Sequence, residues 1–464
     1  MNVVGFFEVE SGLGEVARRL AAAVAATGLP MTAIPYRGTH GRREHPHGLA
    51  LTDEAPYDMN LICLSADDLV AFGAQVGSAF FERRYSIGLW FWETDAFRDI
   101  DRSATRFLDE LWVASRYVRD GIGDVGIPVH VVPVPVEPPR GPLRTRAGLG
   151  LPDAFTFLYV FDYWSGERKN PAAVVEAFLK AFRPGEGPVL VLKSIHGRDW
   201  KPQVFQSVAA IAGDREDVII RDGYVAVGER DSYIAACDCY VSLHRSEGLG
   251  MTMAEAMAAA KPVIATGYSG NLEFMDEQNS FLVPYRLVDV PETWWAYAPG
   301  ATWAEPDVDA AATLMRRVWE HPGQARAMGI AGRDAIVGRF SPARTAAFIS
   351  DLLADARRRG SVGARASAHD ARPAILDTAR LLASKGLGEG LARPRPRPAS
   401  FVRRVVRRAL WPYLEDQRRF EFAVLDALTA LHRSVESLEQ RVLERDGLEK
   451  QGETRRAPPG SAQR

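Results

Sequence analysis

Residues 241–275 read VSLHRSEGLGMTMAEAMAAAKPVIATGYSGNLEFM. The order is an apolar strand, a short polar loop, a glycine pair, a helix of alanines and methionines, a second apolar strand and a glycine-rich loop. Glu247 falls in the first loop, and Glu255 lies about one turn into the helix that starts near Gly250 or Met251. The free amides and the dipole of such a helix start favour an anionic group, and a diphosphate suits them. A carboxylate cannot strengthen phosphate binding, so its chemical use there is to accept hydrogen bonds from sugar or ribose hydroxyls. The plain alternative is that both are solvated carboxylates of a helix start, which the dipole also favours.

The same strand and helix alternation extends in both directions. On the N-terminal side stand NVVGFF, a loop with Gly12 and Gly14, and the helix-period run GEVARRLAAAVAATG. Strand candidates follow at 59–65, 85–92, 111–115 and 130–136. After a proline-rich break from Pro133 to Pro142 the pattern restarts with FTFLYVFD (155–162), the helix NPAAVVEAFLKAF and the strands PVLVLKS, VIIRDG, CYVSLH and PVIAT. Such alternation predicts parallel, doubly wound sheets, and two of them face a cleft where ligands meet the carboxyl ends of the strands. The expected domains are 1–136, a linker 137–150, a second domain 151–340 and a closing helix 341–359. Beyond them come a linker 360–400, a basic and amphipathic helical extension 401–450 and a disordered tail 451–464.

Composition is that of an ordinary globular protein, with 47% hydrophobic and 25% charged residues. The net charge of -2 gives no global bias toward nucleic acid, so no nucleic-acid partner is expected. The start, MNVVGFF, lacks the form of a secretory signal, and no apolar window reaches the roughly 18–20 residues of a membrane span. A cytoplasmic location is therefore expected. Cys237 and Cys239 read as residues of one apolar strand and as buried, inert thiols, and neither a shared metal nor a disulfide is expected of them. Residues 393–408 carry seven arginines and lead to Trp411 and Tyr413. That basic stretch is either a solvated linker or a peripheral membrane contact over 393–413, on the inner face of the membrane. Leu425, Leu428, Leu431, Val435, Leu438 and Val442 form a heptad-like stripe, a candidate for self-association through 421–442.

With EGLGMTMAE in place, the chain resembles, over roughly residues 1–355, the retaining GT-B glycosyltransferases with an E-x7-E motif, glycosyl transferases group 1. Bacterial mannosyl- and glucosyltransferases of cell-surface glycan synthesis belong to that family. The resemblance implies a GT-B fold, to which the helical C-terminal extension is added, and transfer of a hexose, mannose by preference, from a nucleotide-diphosphate sugar to a glycan or lipid-linked acceptor. It implies no cofactor and no metal ligands. Glu247 then lies near the transferred sugar and Glu255 on the ribose hydroxyls, with Gly248 and Gly250 in the donor loop between them.

The segment YVFDYWSGERKNPAAVVEAF matches the family loop in which a lysine neutralises the diphosphate, here Lys169. The commoner pattern has an arginine five or six positions earlier, where this chain has Trp164 and Tyr163; Arg168 or Ser165 is a substitute. Gly12 and Gly14 match the glycine-rich loop that approaches the donor phosphates, although the same pair also opens dinucleotide-binding domains. Ser269, Gly270 and Asn271 match the loop whose amides approach the donor. Trp92 and Glu93 are acceptor-site candidates or core, and His244 lines the cleft or is a hydrogen-bonded structural residue. Rival readings are a non-catalytic assembly subunit and a nucleotide-sugar epimerase or phosphorylase on the same scaffold.

Overall fold

A computed structural model of the chain describes residues 1–38, 41–226, 228–291 and 297–362. Two six-stranded parallel sheets form its centre. The first contains β1 (Asn2–Gly5), β2 (Thr32–Pro35), β3 (Met59–Cys63), β4 (Tyr85–Trp90), β5 (Glu110–Val113) and β6 (Val129–Val131) in the order β2-β1-β3-β4-β5-β6. Helices α1 (Gly12–Ala26), α2 (Ala66–Val76), α3 (Asp99–Arg102) and α4 (Arg116–Ile122) connect them. All five residues of β3 are buried, as expected of a strand covered on both faces. Ser11, Ser65 and Ser115 cap α1, α2 and α4 through their hydroxyls and satisfy amides that the helices leave free.

The second sheet contains β7 (Thr156–Asp162), β8 (Val189–Ile195), β9 (Val218–Asp222), β10 (Cys239–Ser242), β11 (Val263–Thr266) and β12 (Phe281–Val283) in the order β12-β11-β10-β7-β8-β9. Its helices are α5 (Gly166–Lys169), α6 (Pro171–Ala181), α7 (Gly197–Trp200), α8 (Pro202–Ala212), α9 (Glu229–Ala236) and α10 (Met251–Ala258). The winding direction reverses between β1 and β3 in the first sheet and between β7 and β10 in the second. Loops beyond the carboxyl ends of strands at such reversals diverge and leave a crevice. An antiparallel pair, β13 (Tyr285–Asp289) with β14 (Thr302–Pro306), follows the second sheet. Three helices, α11 (Val308–Glu320), α12 (Pro322–Phe340) and α13 (Pro342–Val362), end the described chain. The chain returns through α12 to the first half, where the Phe340 carbonyl accepts from the Val136 amide at 2.8 Å, and α13 packs on α1.

Several local expectations are corrected. Strand 130–136 is shorter, because Pro133 and Pro135 have no amide to give a ladder. Cys237 is not in a strand: it closes α9, donating its amide to the Tyr233 carbonyl at 3.1 Å, and only Cys239 lies in β10. Both cysteines are buried and free, and burial raises the Cys237 thiol to about 12. Segment 137–150, expected as the linker, runs between the two sheets, and its Arg146 is bound to Asp238 at 2.5 Å and to the Ala236 carbonyl at 2.8 Å. The readings for 393–413 and 421–442 lie outside the described residues. Among those described, no helix is long and apolar enough to cross a membrane.

Candidate functional site

A cleft of about 970 Å³ opens between the two sheets, at the carboxyl ends of their strands. Loops after β1, β4, β7, β8 and β10 and the first turn of α10 line it. Glu247, in the loop after β10, is buried. Its carboxylate takes the ammonium of Lys169 and the guanidinium of Arg168, the latter at 3.3 Å. Both cations come from α5, directly behind β7, so neighbouring strands at the winding reversal bring the three groups together. Burial alone raises a carboxyl pKa, but Lys169 first and Arg168 next outweigh it here. The Glu247 carboxyl is held down at about 2.

Eight residues later Glu255 faces the same cleft, 2% exposed. Its Oε1 accepts from Arg19 at 2.5 Å and from Arg230 at 3.1 Å, while Oε2 is buried with no hydrogen-bond partner. An unsatisfied buried carboxylate oxygen costs free energy unless a ligand meets it. Gly250 precedes α10 with φ of +89°, and no side chain caps that helix. Its first amides are therefore open to an anion between the two glutamates. Nothing in this donor set forms a metal nest: among the described residues no three His, Cys, Asp or Glu gather.

The remaining sequence candidates divide. Gly12, Ser165, Gly248, Trp92 and Glu93 line the cleft with the two glutamates, Gly250, Arg168 and Lys169. Glu93 reaches across to Arg168 at 3.6 Å, and Trp92 donates its indole N–H to the Ala96 carbonyl at 2.8 Å, which makes Trp92 mostly a packed residue with one face toward the cleft. Gly14 is not among the lining groups. A Cβ there would stand 2.4 Å from the Val9 carbonyl oxygen, so this glycine permits a tight approach of the chain to itself.

The loop 267–271 also stays away from the cleft surface. Ser269 accepts the Glu247 amide through Oγ at 2.8 Å, the Gly270 amide donates to the Glu247 carbonyl at 2.8 Å, and Asn271 is buried against His244. These residues hold the Glu247 loop from behind. His244 belongs to the same support: it is 0% exposed, hydrogen-bonded to Ser242 at 3.0 Å and to Asn271 at 3.1 Å, so the cleft-lining reading of His244 is corrected. Burial lowers its pKa.

Cations that sequence reasoning missed also line the cleft. Arg19 and Arg230 sit on Glu255, and Lys193 lies in β8 two residues before its end, where burial lowers its pKa to about 8. Lys193 left a trace in the sequence, as a charge inside an apolar strand. Of the two positions where the resembled family has an arginine, Tyr163 is 0% exposed, whereas Trp164 is 54% exposed at the cleft.

The fold and this cleft define a GT-B architecture. Residues 154–293 match the family Glycosyl transferases group 1. Among solved structures, HepE of Anabaena in complex with UDP and glucose is 15% identical with a TM-score of 0.58, covering 76% of this chain and 99% of that one. Sucrose-phosphate synthase from Thermosynechococcus elongatus is 17% identical with a TM-score of 0.56, over 77% and 99%. A glycosyltransferase from Rickettsia africae is 14% identical with a TM-score of 0.54, over 77% and 98%. No curated protein matches the chain.

Proposed function

We propose that this chain is a retaining, metal-independent glycosyltransferase that moves a hexose from a nucleotide-diphosphate sugar to a glycan or lipid-linked acceptor. The observation that carries the reading is the pairing of an ionised Glu247 with Arg168 and Lys169 beside the uncapped start of α10. Lys169, Arg168 and the α10 amides receive the diphosphate, with Ser165 and the backbone at Gly12, Gly248 and Gly250 beside it. Glu255 Oε2 accepts from the ribose. Glu247 orients the sugar, whose positive charge develops as the diphosphate departs and whose departure the cations assist. The acceptor enters on the side of Trp92 and Glu93 and attacks the face that the diphosphate leaves, with the departing phosphate taking its proton.

The donor reading draws on the group 1 match and on the UDP found with glucose in HepE. Mannose is the sugar that the sequence resemblance favours, and cell-surface polysaccharide synthesis at the cytoplasmic side is the setting it suggests. Residues 393–413 would then touch the membrane, and 421–442 would join copies of the chain. The test is incubation of the purified chain with UDP- and GDP-hexoses, with and without an oligosaccharide or lipid-linked acceptor, with products followed by proton NMR. Acceptor-dependent release of nucleoside diphosphate with an α-linked product from an α-donor supports the reading. Epimerised donor without acceptor, or binding with no turnover on any acceptor, favours the rival readings.

A further inference from the structure

Arg19 stands on α1 of the first half, 236 residues before its partner Glu255. Every nitrogen of its guanidinium is used. Nε donates to Glu15 Oε1 at 2.6 Å, Nη1 to the Pro135 carbonyl at 3.1 Å and Nη2 to Glu255 Oε1 at 2.5 Å. Glu15 lies one turn back on the same helix, and Pro135 stands where the chain leaves the first sheet. Two anchors from the first half therefore fix the plane of the guanidinium before it meets the second half. A planar fork can hold three acceptors in fixed directions; an ammonium on a flexible stem cannot.

The consequence falls on Glu255. Arg19 and Arg230 together occupy Oε1, so that oxygen is unavailable to a ligand, and the carboxylate is turned with Oε2 unpaired. We infer that Arg19 is a positioning residue for recognition of the ribose: it clamps Glu255 from the opposite half of the molecule, leaving Oε2 to accept from the ribose hydroxyls. This inference rests on the donor reading above. It adds that ribose discrimination depends on the first half, and specifically on contact between α1 and α10.

Calorimetric titration of the full chain with UDP and GDP, and with the 2′,3′-dideoxy form of whichever binds, tests it. The wild type is expected to bind the ribonucleotide at least about tenfold tighter than the dideoxy form, because a buried acceptor left unpaired penalises the analogue. Arg19→Met is expected to bring that ratio close to 1, as in Glu255→Gln. Arg19→Lys, which keeps the charge and protects against loss of folding, gives an intermediate ratio because lysine cannot hold all three acceptors. A structural role alone weakens both nucleotides equally, so an unchanged ratio in Arg19→Met, or in Arg19→Lys where the former does not fold, overturns the inference while the donor reading stands. Failure of the wild type to bind either diphosphate overturns both.

Discussion

Lys169 and Glu247 meet as an ion pair across 78 residues of sequence, one from the helix behind β7 and the other from the loop behind β10. The pair sits at the reversal of the second sheet, and Arg168 completes it. Removing either cation leaves a buried carboxylate with a single partner. Lys169→Ala is therefore expected to lower kcat by about 10²–10³-fold, the scale for loss of one preorganised group that stabilises transition-state charge. Steady-state kinetics on the best donor checks this. A change confined to the KM for acceptor contradicts the role.

The pH dependence of stability has a definite sign. The folded-state carboxyl of Glu247 is lowered to about 2 from 4.5 by Lys169 and Arg168 against the cost of burial. Its charged form therefore stabilises the fold fully above pH about 5, by about 3 kcal/mol, and this contribution fades as pH falls toward 2. Glu247→Gln is expected to be less stable than the wild type at pH 7, with the difference shrinking below pH about 4. Urea unfolding at pH 7 and pH 3.5 measures it, and a difference that grows on acidification rejects the assignment.

Glycine substitutions separate two kinds of constraint. A Cβ at Gly270 would lie 2.2 Å from the Gly248 carbonyl oxygen, which is backbone and cannot step aside. At Gly250 the φ of +89° costs about 1–2 kcal/mol for alanine, and the nearest atom is the mobile end of Met253. Gly270→Ala is expected to cost more stability than Gly250→Ala, by at least roughly 1 kcal/mol. Thermal unfolding of the two variants decides between them.

Trp164 and Tyr163 give opposite expectations for restoring the family's arginine. Tyr163 is in the core beneath Phe161 and Phe205, so Tyr163→Arg buries an unpaired charge and is expected to prevent folding. Trp164 is exposed at the cleft, so Trp164→Arg is expected to fold and to bind nucleoside diphosphate at least as tightly as the wild type. Isothermal titration reads this, and a Trp164→Arg protein that folds but loses the nucleotide argues that the indole itself contacts the donor.

Much of this was legible because parallel strands buried on both faces appear as uninterrupted apolar runs. The segments behind them, where Lys169, Glu247 and Glu255 sit, stand out as polar interruptions. The short strand Thr32–Pro35 escaped notice because four residues ending in proline carry no period. Arg19 and Arg230 escaped for a different reason: a helical arginine has the same appearance in sequence whether it faces water or a buried carboxylate on another helix. Ser269, Gly270 and His244 sit one layer behind the cleft surface. Glycine and polar residues after a strand suit ligand contact and support of a neighbouring loop equally well, and only the bonds to the Glu247 backbone separate the two.

The most direct test of the central claim is protection against thermal unfolding by UDP, GDP and their hexose conjugates, in the wild type and in Glu255→Ala. A ligand at about 100 times its Kd stabilises by about 2.7 kcal/mol, which raises the melting temperature by several degrees. The expected result is protection of the wild type by conjugates of one base, strongly reduced in Glu255→Ala. Absence of protection by every nucleotide at millimolar concentration, or equal protection of both proteins, would contradict a nucleotide-sugar site built around Glu255.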